Sequence, residues 1–244
     1  MKIGIMQPYF IPYIGYWQLI KAVDCYIIYD DVNFIKGGWI TRNRILNNGL
    51  PSYLSLHTYK ASSFVRINEV EIANDSVKKR KLIDTLKNSY GKAPYFKLTF
   101  PIIEKIILSS EVNLASFLFN SISEICKYLN ISTELKISSQ LIKNTELSGQ
   151  AKIIDICKRM KATHYYNAIG GQTLYQKDEF DKNGIVLKFL STRPVAYKQF
   201  NNDFCPNLSI VDVMMFNSKE DISNMLTEYD LVWQKSVDIS DLKI

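Results

Sequence analysis

Two short apolar runs near the start of the chain end abruptly at polar residues, and this pattern constrains the fold more than any other. The first run, at 1–6, leads into a loop rich in proline and tyrosine, and the second, at 25–29, stops at Asp30 and Asp31. Apolar residues at helical spacing over 14–23 separate the two runs. Continuous apolar strands are typical of parallel sheets that are covered on both faces. The opening therefore predicts a strand, a helix and a second strand, and ligands of such sheets bind at the carboxyl ends of the strands.

The middle of the chain has the periodicity of helices rather than of strands. Ser76 is positioned to cap a helix that Gly91 ends, and Pro101 suits the first turn of the next helix. Apolar residues at helical spacing over 113–129 indicate a third helix. These three segments predict a mainly helical middle insertion at about 75–130.

Strand-like and helix-like runs alternate on both sides of this helical region. Asn47, Asn48 and Gly49 form a turn signal that predicts a hairpin, and the polar residues after Trp233 are predicted to fray. The other predicted strands are 52–57, 67–72, 134–138, 164–168 and 185–190, and the other predicted helices are 148–160, 208–216 and 222–226. The whole pattern predicts an α/β, Rossmann-like fold with a mostly parallel sheet, in a single domain that spans 1–244.

Composition and charge limit the classes of function. Hydrophobic residues make up 47% and charged residues 22% of the 244 residues, which is typical of a globular protein. The net charge of +6 is spread thinly except at 78–81. This run is either a solvated helix face or a patch for phosphates, nucleic acid or an anionic membrane. Because zinc-finger spacing and RNP-like aromatic motifs are absent from the sequence, nucleic acid is not an expected partner.

The cysteines and the hydropathy pattern predict a cytoplasmic protein. The four cysteines form no C-x-x-C pair, and each lies in or beside an apolar run, as buried thiols do in a reducing compartment. No apolar run approaches the roughly 18 residues that span a bilayer, and the N-terminus lacks the cleavage site of a signal peptide. With two histidines, a metal site is not expected, and because Gly-x-Gly-x-x-Gly and the Walker pattern are absent, no cofactor is assigned.

The loop after the first strand is the first candidate ligand site. It contains Gln7, Tyr9 and Tyr13, and it enters a helix whose free N–H groups suit an anion. The run Tyr-Ile-Gly-Tyr at 13–16 is similar to the His-x-Gly-His element of adenylyl-transferring enzymes, with tyrosine at both histidine positions. The alternative is that the prolines and aromatic rings only stiffen the loop.

An acidic pair and a basic cluster supply the charged candidates. Asp30 and Asp31 suit a catalytic base, or acceptors for the amino and hydroxyl groups of a substrate. Arg42, Asn43 and Arg44 form the best anion-binding candidate, because arginine presents a planar fork to phosphate and alternate residues of a strand share one face. The alternative is that the aspartates and arginines only form ion pairs with each other.

Uncharged residues complete the set of candidates. Trp39 precedes the basic cluster and suits stacking on a sugar or a base. Gln7 and Asn167 are expected to hydrogen-bond hydroxyl or carbonyl groups. Gly170 and Gly171 follow a predicted strand, and glycine there lets the backbone approach a ligand closely.

The same segments carry a resemblance to a known family. The matching segments are 7–16, Asp24 with 29–34, 39–45, 90–96, Ser138 with Ser139, Tyr166 with Asn167, Gly170 with Gly171, Tyr175, Phe180 with 184–185, and 208–212. On these residues the chain resembles the WbqC-like family over nearly its whole length. Some members have a histidine before the Gln-Pro pair, where this chain has Met6. The resemblance implies a cytoplasmic protein that is encoded with surface polysaccharide and O-antigen genes.

The resemblance and the candidate residues together predict a transferase that modifies a nucleotide-activated amino sugar by acyl or aminoacyl transfer. Arg42 and Arg44 are expected to hold the diphosphate, and Asp30 or Asp31 is expected to orient or deprotonate the amine. The expected partners are the nucleotide-activated sugar and other enzymes of glycan biosynthesis. The alternatives are an ATP-dependent adenylylating amide ligase, which the opening loop motivates, and a non-catalytic binding partner in a glycan pathway.

Overall fold

The computed structural model of the protein describes residues 1–59, 61–200 and 203–233. Within these ranges the strands are β1 (Lys2–Met6), β2 (Cys25–Ile28), β3 (Arg42–Asn47), β4 (Leu50–Ser55), β5 (Thr58–Tyr59), β6 (Glu71–Ile72), β7 (Glu134–Ile137), β8 (His164–Ala168), β9 (Val186–Thr192) and β10 (Tyr229–Val232). The α-helices there are α1 (Ile14–Lys21), α2 (Ser76–Tyr90), α3 (Phe96–Ile107), α4 (Leu114–Tyr128), α5 (Gly149–Arg159), α6 (Lys177–Lys182), α7 (Ile210–Phe216) and α8 (Lys219–Met225).

The main sheet has the strand order β10-β9-β8-β1-β2-β7, and every pair except β9 with β10 is parallel. This confirms the prediction of a Rossmann-like α/β fold with a mostly parallel sheet and a mainly helical middle. From β1 the chain proceeds to β2 and β7 on one side, and it then crosses to β8 and β9 on the other. In open α/β sheets, ligands bind at the carboxyl ends of the strands beside such a reversal. The loops after β1 and β8 lie at that place.

The alternation of side chains along β1 and β2 divides the core between the two faces of the sheet. Ile3, Ile5, Cys25 and Ile27 point to the face that α5 and α6 cover. Tyr26 points to the opposite face, where α1, the middle helices and the β3–β4 hairpin form a larger core. Because both faces are buried, the strands are continuously apolar, which is the pattern that the sequence shows.

Helix α2 begins with a different cap from the one that the sequence predicts. The side chain of Asp75 accepts hydrogen bonds from the backbone N–H groups of Val77 and Lys78, whereas Ser76 is the first helical residue. The predicted cap at Ser76 is therefore wrong by one position. Aspartate and serine are both favourable N-cap residues, so residue type alone does not separate two adjacent candidates.

The prediction that Pro101 begins a helix is also wrong. Helix α3 begins at Phe96, and Pro101 lies inside it. The ring of Phe96 stacks on Phe100 with 4.7 Å between centroids, and the N–H of Tyr95 donates to the carbonyl of Met215 on α7. The stack within the helix and the bond to α7 accompany a helix that begins more than one turn before the proline, which cannot donate a backbone hydrogen bond there.

The β3–β4 hairpin forms at the predicted turn. Asn48 and Gly49 adopt left-handed φ angles of 51° and 77°, as a tight hairpin turn requires. The register pairs Arg44 with Tyr53, and Arg42 lies on the same face two residues earlier. The hairpin thus places two arginines and an aromatic ring side by side.

Other segments differ from the prediction. Instead of a strand over 67–72, the chain forms a 3-10 turn (Ile67–Glu69) followed by the two-residue strand β6. Strand β10 has no counterpart among the predicted strands, because it is short and half-exposed at the edge of the sheet. The fraying predicted after Trp233 lies outside the described residues.

Replacement of Asp75 by Ala is expected to lower the free energy of unfolding by about 1 kcal/mol, because the first turn of α2 loses the acceptor for two N–H groups. Replacement of Ser76 by Ala is the matched control and is expected to change that free energy by less than about 0.5 kcal/mol. Urea unfolding of both variants measures the difference. Equal losses in the two variants would contradict the assignment of Asp75 as the cap.

Candidate functional site

A pocket of about 290 Å³ opens between the loop after β1, the start of the hairpin and the segment before α7. It is lined by Tyr9, Pro12, Tyr13, Trp39, Asn43, Arg44 and Asn207. Five of these seven residues are among the predicted site residues, namely Tyr9, Tyr13, Trp39, Asn43 and Arg44. The fold therefore brings together two predicted segments that are about 30 residues apart in the sequence, beside the crevice where α/β sheets bind ligands.

Hydrogen bonds from the hairpin and from α7 fix the loop after β1. The N–H of Phe10 donates to the carbonyl of Trp39 at 3.0 Å, and Asn43 Nδ2 donates to the carbonyl of Phe10 at 3.1 Å. Ser209 Oγ donates to the carbonyl of Ile11 at 2.7 Å. Ile11 has a φ of 38°, which a β-branched residue rarely adopts. Such strain persists only where the surroundings over-determine the backbone, and it concentrates at ligand sites.

Arg42 and Arg44 stack on aromatic rings. The Cζ atom of Arg42 lies 4.4 Å from the ring centroid of Tyr53, and that of Arg44 lies 5.9 Å from the ring of Trp39. Among the residues that the structure describes, neither arginine forms an ion pair. The Nε atom of each is buried and has no hydrogen-bond partner in that part of the chain. One face of the hairpin thus carries two positive charges that pair with no carboxylate within residues 1–59, 61–200 and 203–233.

The N-terminus of α1 is filled by side chains of the protein itself. A Cβ atom built on Gly15 would lie 2.5 Å from both Tyr13 Oη and Thr192 Oγ1. The phenol of Tyr13 therefore packs against the first turn of α1, which is where α/β folds commonly hold a phosphate. Glycine at position 15 is what leaves room for this ring. In the lining of this pocket the positively charged group is therefore the guanidinium of Arg44, whereas the helix N-terminus is covered by the Tyr13 ring.

The polar groups of the pocket are mainly hydrogen-bond donors. Burial raises the pKa of Tyr9, and the neighbouring Tyr13 raises it further. Burial also raises the pKa of Tyr13, although a hydrogen bond with Thr192 partly offsets the change. Both phenols are protonated at neutral pH and can donate to a ligand. Arg44 Nη2 donates to the carbonyl of Asn207 at 3.1 Å. The pocket suits a ligand rich in acceptor oxygens.

The two aspartates after β2 form a separate, buried cluster. Asp30 accepts hydrogen bonds from the N–H and Oγ of Ser139, at 2.9 and 2.6 Å. The Oδ2 atom of Asp31 lies 3.1 Å from Lys143 Nζ and 2.9 Å from Lys152 Nζ, and all three of these side chains are less than a tenth exposed. The predicted alternative, in which the aspartates pair with the hairpin arginines, is wrong for the described residues. The cluster instead joins the end of β2 to the segment after β7 and to α5.

The cluster keeps Asp31 anionic. Burial acts to raise the pKa of Asp31, but the nearby Ser138 hydroxyl and the ammonium groups of Lys152 and Lys143 outweigh burial and hold the pKa below its ordinary value. Burial raises the pKa of the adjacent Tyr29, and the charge of Asp31 adds to this shift. The ammonium group of Lys152 also lies 5.0 Å from the centre of the Tyr29 ring. Asp31 is therefore held as a compensated charge.

Asn167 and the two predicted glycines lie at the carboxyl end of β8. Asn167 Nδ2 donates to Tyr165 Oη at 2.8 Å, and its Oδ1 accepts from the N–H of Ala168 at 2.7 Å. A Cβ atom on Gly171 would lie 3.0 Å from Asn167 Nδ2, whereas one on Gly170 would meet none of the described atoms within 4 Å. Asn167 thus supports the turn after β8, and Gly170 leaves the backbone open to approach.

The sequence predicts most of the residues that line the pocket, but it does not predict several residues that contact the predicted site residues. Gln7 is half-buried, and its carbonyl accepts from Tyr16 Oη at 3.1 Å. The contacting residues that sequence reasoning misses are Tyr53, Asn207, Lys143 and Lys152. The hairpin turn carries a signal for Tyr53, because counting back from it places Tyr53 opposite Arg44. The other three reach the site from distant segments, and no local pattern indicates them.

Two structural features are absent from the part of the chain that the structure describes. There, no group of three or more His, Cys, Asp and Glu side chains lies close enough to hold a metal ion. In the same residues, the helices are too short or too polar to cross a membrane.

Comparison with known proteins gives a family match and one relative. The description of the matching family model is the WbqC-like protein family, and the match spans residues 7–224. The chain is also similar to Rv1507c, an uncharacterized protein of Mycobacterium tuberculosis strain H37Rv. The two are 28% identical over 221 residues, which cover 88% of this chain and 93% of the relative. No solved structure matches the chain.

Replacement of Asp31 by Asn is expected to lower the free energy of unfolding by about 3 kcal/mol at pH 7, because it leaves Lys143 and Lys152 buried without an anion. The matched control is Asp181→Asn, which removes an exposed pair with Lys177 and is expected to cost less than about 1 kcal/mol. Urea unfolding at several pH values measures both effects.

The stability that Asp31→Asn loses relative to the wild type should depend on pH in a defined direction. Since the folded pKa of Asp31 is lowered, its stabilising contribution is full above the unfolded pKa of about 4 and is lost as the pH falls through the folded value. The difference in the free energy of unfolding between the wild type and Asp31→Asn should therefore become smaller below a pH of about 4. A gap that widens on acidification would contradict the assigned ion pairs.

Proposed function

Because the chain belongs to the WbqC-like protein family, we propose that it is a transferase of surface polysaccharide biosynthesis, of the O-antigen type. In this proposal it modifies a nucleotide-linked amino sugar by acyl or aminoacyl transfer to the sugar amine. The resemblance to the family supports the pathway. The observation that carries the chemistry is the pair of stacked arginines, without carboxylate partners in the described chain, beside an aromatic pocket.

The diphosphate of the ligand is assigned to Arg42 and Arg44. Residues two apart in a strand are separated by about 6.6 Å along it, so the two side chains of one face can hold neighbouring phosphate groups. Arginine matches phosphate oxygens in a planar, bidentate geometry, and the stacking of each guanidinium on a ring restricts its conformations before a ligand arrives. A fork that is already ordered loses less entropy when the ligand binds.

The sugar or the base is assigned to the aromatic rings in and beside the pocket, with Trp39 in its lining and Tyr53 on the adjacent face of the hairpin. Trp39 and Tyr53 are 42% and 52% exposed, so part of each ring remains accessible for stacking. The phenols of Tyr9 and Tyr13 are protonated and can donate to hydroxyl or carbonyl oxygens of the ligand. Asn43 contributes through its bond to the loop after β1. These groups orient a sugar whose phosphates are held by the neighbouring arginines.

The remaining predicted residues are assigned to the acceptor side of the reaction. In this proposal Asp30 or Asp31, at the carboxyl end of β2, orients or deprotonates the sugar amine. Asp30 is favoured for this role, because two lysines already neutralise Asp31. Gln7 would hydrogen-bond a hydroxyl or carbonyl group. Asn167 would contact such a group in addition to the two bonds that it makes within the turn after β8. Gly170 and Gly171 would let the turn after β8 approach the ligand.

The predicted partners and location also belong to this proposal. The protein would act in the cytoplasm on nucleotide-activated sugars, together with other enzymes of glycan biosynthesis. The alternative ligase reaction needs an ATP phosphate site in the opening loop. The phenol of Tyr13 packs against the α1 N-terminus there, so the geometry gives this alternative less support.

Replacement of Arg44 or of Arg42 by Ala is expected to weaken the binding of a nucleotide-linked amino sugar by about tenfold or more, because each removes a charge-assisted hydrogen bond to phosphate. The control Arg80→Ala removes one exposed positive charge from α2, far along the chain from the pocket residues, and should leave affinity within about twofold. Isothermal titration with a panel of UDP-, GDP- and dTDP-linked sugars, each with and without an amine, measures the affinities. Wild-type affinity in the Arg44→Ala variant would refute the proposed site.

The transfer step has its own test. The wild type is incubated with the tightest-binding amino sugar and a panel of acyl thioesters or aminoacyl donors, and mass spectrometry follows the sugar. An acyl group on the nitrogen, with release of the donor thiol or carrier, is the expected product. Intact binding without any product would favour the non-catalytic partner, and pyrophosphate release from ATP and a carboxylic acid would favour the ligase.

A further inference from the structure

We infer that Asp212 on α7 is a positioning residue for Arg44, because its carboxylate holds the two backbone segments between which the Arg44 guanidinium lies. This inference rests on the proposed function in one respect, namely that Arg44 contacts the ligand. Asp212 itself does not line the pocket. It acts through the strand that carries Arg44 and through the segment that Arg44 bonds.

Asp212 is a fully buried carboxylate surrounded by donors. Its side chain is 0% exposed. Oδ1 accepts from Tyr90 Oη at 2.9 Å, and Oδ2 accepts from Tyr197 Oη at 2.7 Å and from Gln199 Nε2 at 2.6 Å. No lysine, arginine or histidine pairs with it among the described residues. A buried charge without a counterion is costly unless hydrogen bonds satisfy it, so three converging donors indicate a role beyond packing.

The first connection runs from Asp212 to the strand of Arg44. Tyr90 Oη accepts from the N–H of Leu46 at 2.8 Å while its own proton goes to Asp212. Leu46 lies two residues beyond Arg44 in β3. In addition, the N–H of Ser209 donates to the carbonyl of Arg44 at 2.8 Å, so the start of α7 bonds β3 directly at Arg44, and Asp212 bonds it through Tyr90 at Leu46.

The second connection runs to the segment that faces Arg44. Gln199 Oε1 accepts from the N–H of Cys205 at 2.7 Å, and Gln199 Nε2 donates to the carbonyl of Cys205 at 3.1 Å as well as to Asp212. Two residues later, the carbonyl of Asn207 accepts from Arg44 Nη2 at 3.1 Å. Asn207 also lines the pocket. Asp212 therefore determines where the acceptor for the Arg44 guanidinium stands.

The chemistry requires a carboxylate at this position rather than an amide. An ionised carboxylate only accepts, whereas an amide presents one acceptor and one NH₂ donor. In an Asp212→Asn variant, the NH₂ group must face Tyr90 or the Tyr197 and Gln199 side, where donors already point at it. If Gln199 turns its amide over to avoid this contact, it loses both of its bonds to Cys205. The nearly isosteric substitution thus releases one of the two connections without making a cavity.

A matched control breaks a buried hydrogen bond to the same helix on a different side. Thr99 Oγ1 donates to the carbonyl of Met214 on α7 at 2.8 Å. Thr99→Val removes this bond and keeps the volume of the side chain. It should lower stability as one lost buried hydrogen bond does, with no connection to Arg44. Any effect that Asp212→Asn has and Thr99→Val lacks is therefore not a general loss of stability.

The first measurement needs no ligand. Cys205 is half-buried, whereas the other three cysteines are buried, so alkylation by iodoacetamide, followed by mass spectrometry, reports the Cys205 segment. Asp212→Asn is expected to raise the alkylation rate of Cys205 by about fivefold or more, and Thr99→Val is expected to leave it unchanged. The Nε–H resonance of Arg44, assigned from the Arg44→Ala spectrum, is expected to shift in Asp212→Asn and not in Thr99→Val. An unchanged Arg44 resonance or an unchanged alkylation rate overturns the inference.

The second measurement places Asp212 and Arg44 in one double-mutant cycle. Affinity for the tightest-binding nucleotide sugar of the panel is expected to fall by about fivefold or more in Asp212→Asn, and to fall no further when the substitution is added to Arg44→Ala. Additive losses overturn the inference, because Asp212 would then act independently of Arg44. If Arg44→Ala has wild-type affinity, the proposed function fails, and the ligand-free measurements still decide the inference.

Discussion

The hydrogen bonds that fix the loop after β1 are the constraint on which the rest of the site depends. Ile11 is held in a left-handed conformation by bonds that arrive from the hairpin at Phe10 and from α7 at Ile11. A strained β-branched residue persists only if its neighbours cannot relax. The same bonds that maintain the strain therefore fix the hairpin and α7 against the edge of the sheet. The pocket is formed where the loop after β1, the start of the hairpin and the segment before α7 meet.

The charges of the molecule are arranged so that its acidic and basic candidates do not cancel each other. Asp31 is satisfied by two buried lysines, and Asp30 by Ser139. This leaves Arg42 and Arg44 with aromatic rings rather than carboxylates for neighbours among the described residues. Had the aspartates paired with the arginines, the positive field of the hairpin would be neutralised and an anionic ligand would have to displace a salt bridge. Because the aspartates are compensated separately, the buried acidic groups and the ring-stacked arginines do not neutralise each other among the described residues.

Local signals predicted much of this architecture, and long-range contacts account for what they missed. The apolar runs of β1 and β2 follow from burial on both faces, and the Asn-Gly turn follows from backbone sterics, so both could be predicted. The cap at Asp75 is a local contact, but Asp75 and Ser76 are both favourable cap residues, so residue type does not choose between them. The start of α3 before Pro101 involves the bond of Tyr95 to Met215 on α7, which no window of sequence contains. In the site, Tyr9 and Tyr13 lie in one short segment and Trp39, Arg42 and Arg44 in another, and local patterns predicted both segments but not Tyr53. Lys152, Asn207 and Asp212 come from distant segments, and a buried lysine has no pattern that distinguishes it from an exposed one.

The position of Tyr13 links the general fold to the particular site. In a doubly wound sheet, the first turn after β1 ordinarily receives phosphate on the helix N-terminus. Here the phenol of Tyr13 and the hydroxyl of Thr192 fill that space, and Gly15 is the residue that makes the packing possible. The chain thus keeps the strand–helix–strand arrangement of the fold, while side chains cover the N-terminus of α1, where such folds usually bind phosphate. An anionic ligand that approaches this edge then meets the hairpin arginines, which stand outside the sheet. A ligand bound as proposed would be recognised by side chains rather than by backbone N–H groups. The positions of Arg42 and Arg44 depend on the rings of Tyr53 and Trp39 and, for Arg44, on the carbonyl of Asn207.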